Sequence, residues 1–274
     1  MAEISAEKTQ LYNEDCLTGM AARLTPASVD VVVTSPPYNI GVKYGSYHDR
    51  MPLQEYLGWL GQWGKAVRRV LKDDGSLFLN VGSRPSAPLV PFQVLDTLIS
   101  EFHLQNVIHW IKSIYIEAGS YGRCTEINVG HYKPINSERF LNDTHEYIFH
   151  LTKTGRVKLD RLALGIPYKD RTNISRWKAG KSRIRCRGNC WFIPYQTIQN
   201  RSADRPHPAS YPPLLAEQCI RLHGLRGRML VLDPFLGIGN TALACRKLGV
   251  RFVGFEIDPH YFQVAGERIT VGGE

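Results

Sequence analysis

The chain has no run of about 18 apolar residues, the length a bilayer crossing needs, and its first residues, MAEISAEKTQ, lack a charged-then-apolar leader. Neither a membrane span nor a secretory signal is expected, and the reading is cytoplasmic. Cysteine is sparse. Six (Cys16, Cys124, Cys186, Cys190, Cys219, Cys245) are scattered through 274 residues, too thinly for a disulfide scaffold, so reduced thiols are expected. Cys186 and Cys190 stand at C-x3-C spacing, but no second Cys or His pair has zinc-finger spacing, and no metal site is expected. There is no internal repeat and no low-complexity tract. Acidic residues are scarce in one stretch: Lys153 to Arg205 carries 14 Lys/Arg, 3 Asp and no Glu. That is +11 within a chain of net +9, leaving −2 for everything else. A charge excess gathered in one segment suits a nucleic acid backbone better than a merely solvated loop. Tyr168, Trp177, Trp191 and Tyr195 interleave it and are equally able to pack a small core.

What is present reads as one large domain with a modest insertion. Val29–Val33 is an apolar strand. In the following PLQEYLGWLGQWGKAVRRVL, Leu53, Tyr56, Leu60, Trp63, Val67 and Val70 recur at helical spacing, and Asp73-Asp74-Gly75 is expected to end the helix. Strand Ser76–Val81, helix PFQVLDTLISEF and strand LQNVIHWIK follow. Residues 113 to about 143 show no sustained period and are long for an idle loop, as a flap over a binding site would be. Strand Glu146–Leu151 precedes the basic segment. After a Pro-rich junction come a helix near Leu214–Leu222, strand Met229–Leu232, a glycine turn, a helix, strand Arg251–Phe255 and a last helix. The alternation implies an α/β fold with a parallel sheet.

The turn has Gly237-x-Gly239-x-x-Ala242 after a strand, with Glu256 at the end of the next strand. This is the pattern of a nucleoside-binding βαβ unit, in which glycines let a ligand approach the backbone and an acidic side chain accepts ribose hydroxyl protons. A dinucleotide would place its pyrophosphate at the helix N-terminus; S-adenosylmethionine carries a positive sulfonium instead and calls for carboxylates and carbonyls. Asp233-Pro234-Phe235 at the strand end fits the second ligand better. A turn used only for close packing remains the plain alternative.

The other unusual corner is Thr34-Ser35-Pro36-Pro37-Tyr38. Open α/β sheets bind ligands at the carboxyl ends of their strands. Two prolines stiffen the chain there, and the Ser35 hydroxyl and a Ser35 or Pro36 carbonyl are left as acceptors beside the Tyr38 ring. Two acceptors beside an aromatic face suit the exocyclic amine of a nucleobase. Such a nitrogen is a poor nucleophile, and holding both its protons tetrahedrally frees its lone pair for an in-line methyl donor.

TSPPY together with DPFLGIGNT resembles the DNA amino-methyltransferases that act on cytosine-N4 or adenine-N6. The order, catalytic corner, then basic segment, then cofactor turn, resembles the permuted β group of that family. NEDCL (13–17), THEYIFHLTK (144–153) and HPASYPPLLAEQCIRL (207–222) extend the resemblance over nearly the whole chain outside the basic segment. It implies a Rossmann-like methyltransferase fold, a mostly parallel twisted sheet with helices on both faces, circularly permuted, with an inserted recognition region. The expected parts are a catalytic half (1–152), a basic target-recognition region (153–205) and a cofactor-binding half (206–274). Carried over by position, the resemblance puts Ser35, Pro36, Pro37 and Tyr38 at the target base. It puts Asp233, Phe235, Gly237 and Gly239 around the methionine moiety of S-adenosylmethionine, Glu256 at its ribose, and Asp15 and Cys16 near its adenine, with Thr34, Pro234, Asn240 and Thr241 also at the cofactor. His207 and Pro208 would wall the cofactor pocket, or else only stiffen a helix start. The chain departs from the family pattern at Glu14, Asn240 and Ser210-Tyr211, which concerns the fine contacts of that pocket.

Ser35 before Pro-Pro-Tyr resembles the cytosine-N4 enzymes, Asp or Asn there the adenine-N6 enzymes; cytosine is favoured and adenine stays open. Either base must leave the duplex to reach such a pocket. Arg176, Lys178, Lys181, Arg183, Arg185 and Arg187 are the expected DNA contacts. Cytosine-C5 chemistry needs a thiolate, and no Pro-Cys dipeptide is present to supply it. The expected partner is double-stranded DNA with a flipped base; a cognate restriction endonuclease and a second copy of the chain are candidates that the sequence does not decide. An RNA base methyltransferase, an NAD-dependent oxidoreductase and a non-catalytic DNA-binding protein are the rival readings, the oxidoreductase leaving TSPPY and the basic segment unexplained.

Overall fold

The computed structural model describes residues 2–6, 8–42, 49–119, 125–130, 136–169, 183–194 and 210–271. Among them the strands are β1 (Glu3–Ala6), β2 (Thr9–Tyr12), β3 (Val29–Thr34), β4 (Leu71–Val81), β5 (His103–Ile111), β6 (Ser113–Ile116), β7 (Ile127–Gly130), β8 (His145–Thr152), β9 (Ile166–Pro167), β10 (Ile184–Arg185), β11 (Cys190–Phe192), β12 (Leu230–Asp233) and β13 (Arg251–Phe255). The helices are α1 (Cys16–Arg23), α2 (Leu53–Val70), α3 (Val90–Leu98), α4 (Pro213–His223), α5 (Asn240–Leu248) and α6 (Pro259–Val271). A nine-stranded sheet runs in the order β1-β2-β13-β12-β3-β4-β8-β5-β11.

From β2 through β4 every neighbouring pair is parallel. The middle strands carry apolar residues on both sides, as a sheet covered on both faces requires. On one face α1, α2 and α3 bury Met20, Tyr56, Leu60, Trp63 and Leu98 against Val32, Leu77 and Leu79. On the other, α4, α5 and α6 bury Leu215, Cys219, Ala242, Phe262 and Ala265 against Val31, Val33 and Phe78. The alternation of Val31, Val32 and Val33 between the two cores is the period of two that fixes the strand's register.

Five features depart from or add to the expected layout. The Asp73-Asp74-Gly75 stretch does not separate helix from strand: α2 ends at Val70, Leu71 already pairs with Val29, and the ladder slips before resuming at Val31 opposite Ser76. Asp30 sits at this slip and stabilises it, accepting from the Leu230 amide (2.8 Å) and pairing with Lys72 (2.7 Å). The sheet is not wholly parallel, because β8 inserts between β4 and β5 antiparallel to both. Within 113–143, β6 and β7 form a hairpin. The basic segment is not wholly set apart from the body either: β11 extends the sheet parallel to β5, Trp191 is 1% exposed within the core, and Trp110 Nε1 donates to the Ile193 carbonyl at 2.8 Å. The β1–β2 pair at the opposite edge was not marked by any pattern in the first residues.

Candidate active site

β3 ends with Thr34, and the Ser35-Pro36-Pro37-Tyr38 corner turns out over the carboxyl edge of the sheet, where it lines a cleft. The Ser35 hydroxyl lies 2.7 Å from the Tyr38 hydroxyl, which donates to Glu146 Oε2 at 3.1 Å. Asn80 Nδ2 donates to the Tyr38 oxygen (2.8 Å) and to Glu146 Oε2 (2.6 Å), and Lys112 pairs with Glu146 Oε1 at 3.1 Å. The antiparallel insertion of β8 creates this group, since it brings the start of β8 beside the carboxyl end of β4, pairing Val81 with Tyr147. The Pro37 carbonyl is taken by the Tyr56 hydroxyl (2.8 Å), so the carbonyls that remain for a ligand at the corner are those of Ser35 and Pro36. Past the corner, the buried Asp49 carboxylate accepts from the amides of Asn39, Ile40 and Val42 (2.8, 3.2 and 2.9 Å). That holds the chain leaving the corner in place.

The glycine turn forms the other wall of the same cleft, which Pro234, Phe235, Gly237, Asn240 and Glu256 line. Gly237 and Gly239 adopt φ of +53° and +81°, a left-handed backbone that a side chain would strain. Glu256 accepts from the amides of Gly237 (2.7 Å) and Asp258 (2.9 Å), while burial pushes its pKa up to about 7. Asp15 and Cys16 reach the cleft where α1 begins: Asp15 caps the helix, accepting from the amides of Leu17 and Thr18, both at 3.0 Å. Burial raises the Cys16 thiol far above its ordinary pKa, so it serves as a neutral wall.

Asp233 also lines the cleft, yet at 1% exposure its carboxylate is largely committed to the protein. Oδ1 accepts from Thr34 (2.6 Å) and the Phe235 amide (3.1 Å), and Oδ2 from Thr241 (2.6 Å) and Tyr211 (3.0 Å). Thr34 and Thr241, both fully buried, therefore stand behind Asp233 instead of facing the cleft. Gly239 likewise lies behind it, as the N-cap of α5 packed against Ala265. Tyr211, one of the departures from the family pattern, joins the pair of Asp233 and Thr241, its hydroxyl 3.0 Å from Asp233 Oδ2 and 2.6 Å from Thr241 Oγ1.

Residues that the sequence did not single out are Asn80, Lys112, Glu146, Trp59 and Asp258. Only Glu146 falls within a family motif, THEYIFHLTK; the others carry no local signal. Of the expected DNA contacts, Arg183 and Arg185 are exposed on and beside β10, and Arg187 donates to Gln218 Oε1 at 3.3 Å. Arg176, Lys178, Lys181, His207 and Pro208 lie outside the described residues. Among the described residues no group of three or more His, Cys, Asp or Glu is placed to hold a metal ion, and no helix is long and apolar enough to cross a membrane.

Residues 29–267 match the N6/N4 family described as DNA methylase. The chain is 30% identical over 272 residues to the Type II methyltransferase M.BglII of Bacillus subtilis, an alignment covering 95% of this chain and 69% of that one. It is 25% identical over 245 residues to the Type II methyltransferase M.HpaI of Haemophilus parainfluenzae, covering 88% and 68%. Among solved structures, the PvuII DNA methyltransferase (cytosine-N4-specific) superposes with a TM-score of 0.69 at 20% identity, covering 97% of this chain and 92% of that one. The M1.HpyAVI–SAM complex superposes with 0.56 at 21%, covering 95% and 99%. The chain thus belongs to the N6/N4 DNA methylase family, and it is a DNA methyltransferase whose methyl donor is S-adenosylmethionine.

Proposed function

We propose that the cleft between the Ser35 corner and the Glu256 turn holds S-adenosylmethionine against a cytosine flipped from double-stranded DNA, and that the product is N4-methylcytosine. The observation that carries this is the presence of Ser35 and Glu256 in the walls of one cleft. The lining suits this cofactor. Among the described residues it includes Glu14, Asp15, Asp233, Glu256 and Asp258 and no Lys or Arg, and the buried Asn240 Oδ1 has no partner among them. An acidic wall with no cation among its described residues favours a ligand with positive charge and penalises the pyrophosphate of NAD. Glu256 would take the ribose hydroxyls, Gly237 would let the ligand pass close to the backbone, and Phe235, held against Trp59 and Trp63 at centroid distances of 5.7 and 5.6 Å, would form an apolar wall.

When bound, the cofactor supplies an electrophilic methyl group on a sulfonium. The protein's part is to present the amine. Ser35 Oγ and a carbonyl of Ser35 or Pro36 accept its two N–H bonds, Tyr38 lies beside the ring, and the prolines keep these acceptors fixed, so that little reorganisation accompanies transfer. The amine nitrogen would gain the methyl as the methyl's bond to sulfur breaks, and its surplus proton would pass to water. Ser35 before Pro-Pro-Tyr supports cytosine, as does the fold shared with a protein described as cytosine-N4-specific. Residues 153–205 would read the DNA, with Arg183 and Arg185 on phosphates. The Type II names of both relatives support a modification role beside an endonuclease of the same site. Methylation-sensitive sequencing of DNA from cells expressing the chain tests the reading. N4-methylcytosine within one short motif is expected; N6-methyladenine would transfer the same machinery to the other base, and unmodified DNA would overturn the proposal.

A further inference from the structure

The hydrogen bonds behind Ser35 favour one of the two directions open to its 2.7 Å contact with Tyr38. A carboxylate only accepts, so the single Tyr38 hydroxyl proton goes to Glu146 Oε2 (3.1 Å). The Asn80 amide nitrogen donates to both Tyr38 and Glu146; the reverse orientation would set its oxygen against the carboxylate at 2.6 Å. The 2.7 Å contact between Ser35 and Tyr38 then has one proton left to form it, that of Ser35. Ser35 donates inward and keeps its lone pairs for the cleft it lines. With the opposite direction its proton would meet the N–H of an incoming amine, donor to donor. Lys112 holds the far oxygen of Glu146 at 3.1 Å, with the two side chains 14% and 12% exposed. Gly82 leaves the room: a Cβ there would lie 2.9 Å from Tyr38 Cε2 and 3.0 Å from Glu146 Cδ.

We infer that Glu146, acting through Tyr38, is a positioning residue that sets the Ser35 hydroxyl as a hydrogen-bond acceptor for the target amine. This rests on the proposal that the amine meets Ser35. In Glu146→Gln the side-chain oxygen turns to Lys112 and the NH2 faces both Tyr38 and Asn80, so Asn80 must flip its amide and the carboxylate that takes the Tyr38 proton is lost. Tyr38→Phe keeps the ring and removes the link.

The test uses the full-length protein and measures kcat and KM for DNA, S-adenosylhomocysteine affinity by calorimetry, and Tm, for Glu146→Gln, Tyr38→Phe, their double variant and Ser35→Ala. Each of the first two is expected to lower kcat about 10- to 100-fold, with KM for DNA and S-adenosylhomocysteine affinity within about twofold. The double variant should be no slower than the slower single, because both break one chain. Unchanged kcat in either single, or losses that multiply in the double, would overturn the role of Glu146. Should Glu146→Gln fail to fold, Tyr38→Phe against Ser35→Ala carries the test: equal kcat losses support the chain and an unaffected Tyr38→Phe refutes it. Ser35→Ala separates the two levels. If it turns over normally the amine does not meet Ser35 and both readings fall; if it is slow while Glu146→Gln is not, only the positioning role falls.

Discussion

Glu256 accepts two backbone amides and still has its pKa pushed up to about 7 by burial. If its carboxylate receives the ribose hydroxyls, the ligand binds the deprotonated form, so affinity should be level above pH 7 and fall about tenfold per unit below it. Calorimetry with S-adenosylhomocysteine across pH 5.5–8.5 should show that bend, and Glu256→Gln should flatten it while weakening binding by about 1.5–3 kcal/mol. An unbent profile in the native protein would remove Glu256 from the ribose. At Gly82 the requirement is space. Gly82→Ala drives a methyl into Tyr38 and Glu146, and turnover is expected to fall at least about tenfold with S-adenosylhomocysteine affinity retained, since near-attack geometry tolerates little displacement. Ser35 and Glu256 could be read from the sequence because each belongs to a contiguous motif with its own chemical logic. Asn80, Glu146 and Gly82 could not: their meeting depends on the pairing of β4 with β8, strands more than 60 residues apart.

Among the elements, β4, β8 and α4 converge at the end of the sheet remote from the corner. There Ser76 Oγ lies 2.9 Å from His150 Nε2 and 2.9 Å from His223 Nδ1, and all three are nearly or wholly excluded from solvent. Burial first, and the neighbouring histidine second, hold His150 down at about 3; burial and then Arg226 hold His223 at about 4. Both values lie below the ordinary value of 6.5, so the unfolded chain binds more protons at mildly acid pH. Their contribution is complete above pH 6.5 and is lost as pH falls toward 3–4. Glu256, raised above its ordinary value, acts in the opposite sense, its contribution being present below 4.5 and lost as pH rises through about 7. The informative quantity is therefore the difference between the native protein and His150→Gln in Tm from pH 8 to pH 5, which should narrow as pH falls; a constant difference would show that His150 does not titrate on unfolding. Helices α2, α4 and α5 were legible from their apolar spacing and flanking Pro or Gly. The antiparallel sense of β8 was not, because the same apolar run serves either direction and only the order in the sheet decides.

On the scale of the whole molecule the charge is split between a basic segment and a nearly neutral body. Reversing Arg183 and Arg185, both exposed and outside the cleft, should weaken DNA binding and flatten the slope of log affinity against log salt by about 0.9 for each phosphate no longer neutralised. S-adenosylhomocysteine binding should be unchanged. Fluorescence anisotropy with duplex DNA at several salt concentrations reads this, and an unaltered slope would remove these arginines from the interface. The expected boundary at 153 follows the charge, but charge says nothing about which part of a segment is structural. Val157 is 7% exposed, and Leu159, Leu164 and Trp191 join the body's core, so the segment is rooted where its apolar residues are.

Strand β11 has one further consequence. The chain at Leu164 and strand β11 are both fastened to the framework that carries the Ser35 corner. If residues 153–205 read the DNA as proposed, replacing residues 166–186, which leaves Arg187 on Gln218 and Asn189 on Val107, with their counterpart from a relative that modifies another DNA site should yield a folded enzyme with new target choice and the same methyl transfer, so that diversification of target and preservation of chemistry would be separable within a single chain.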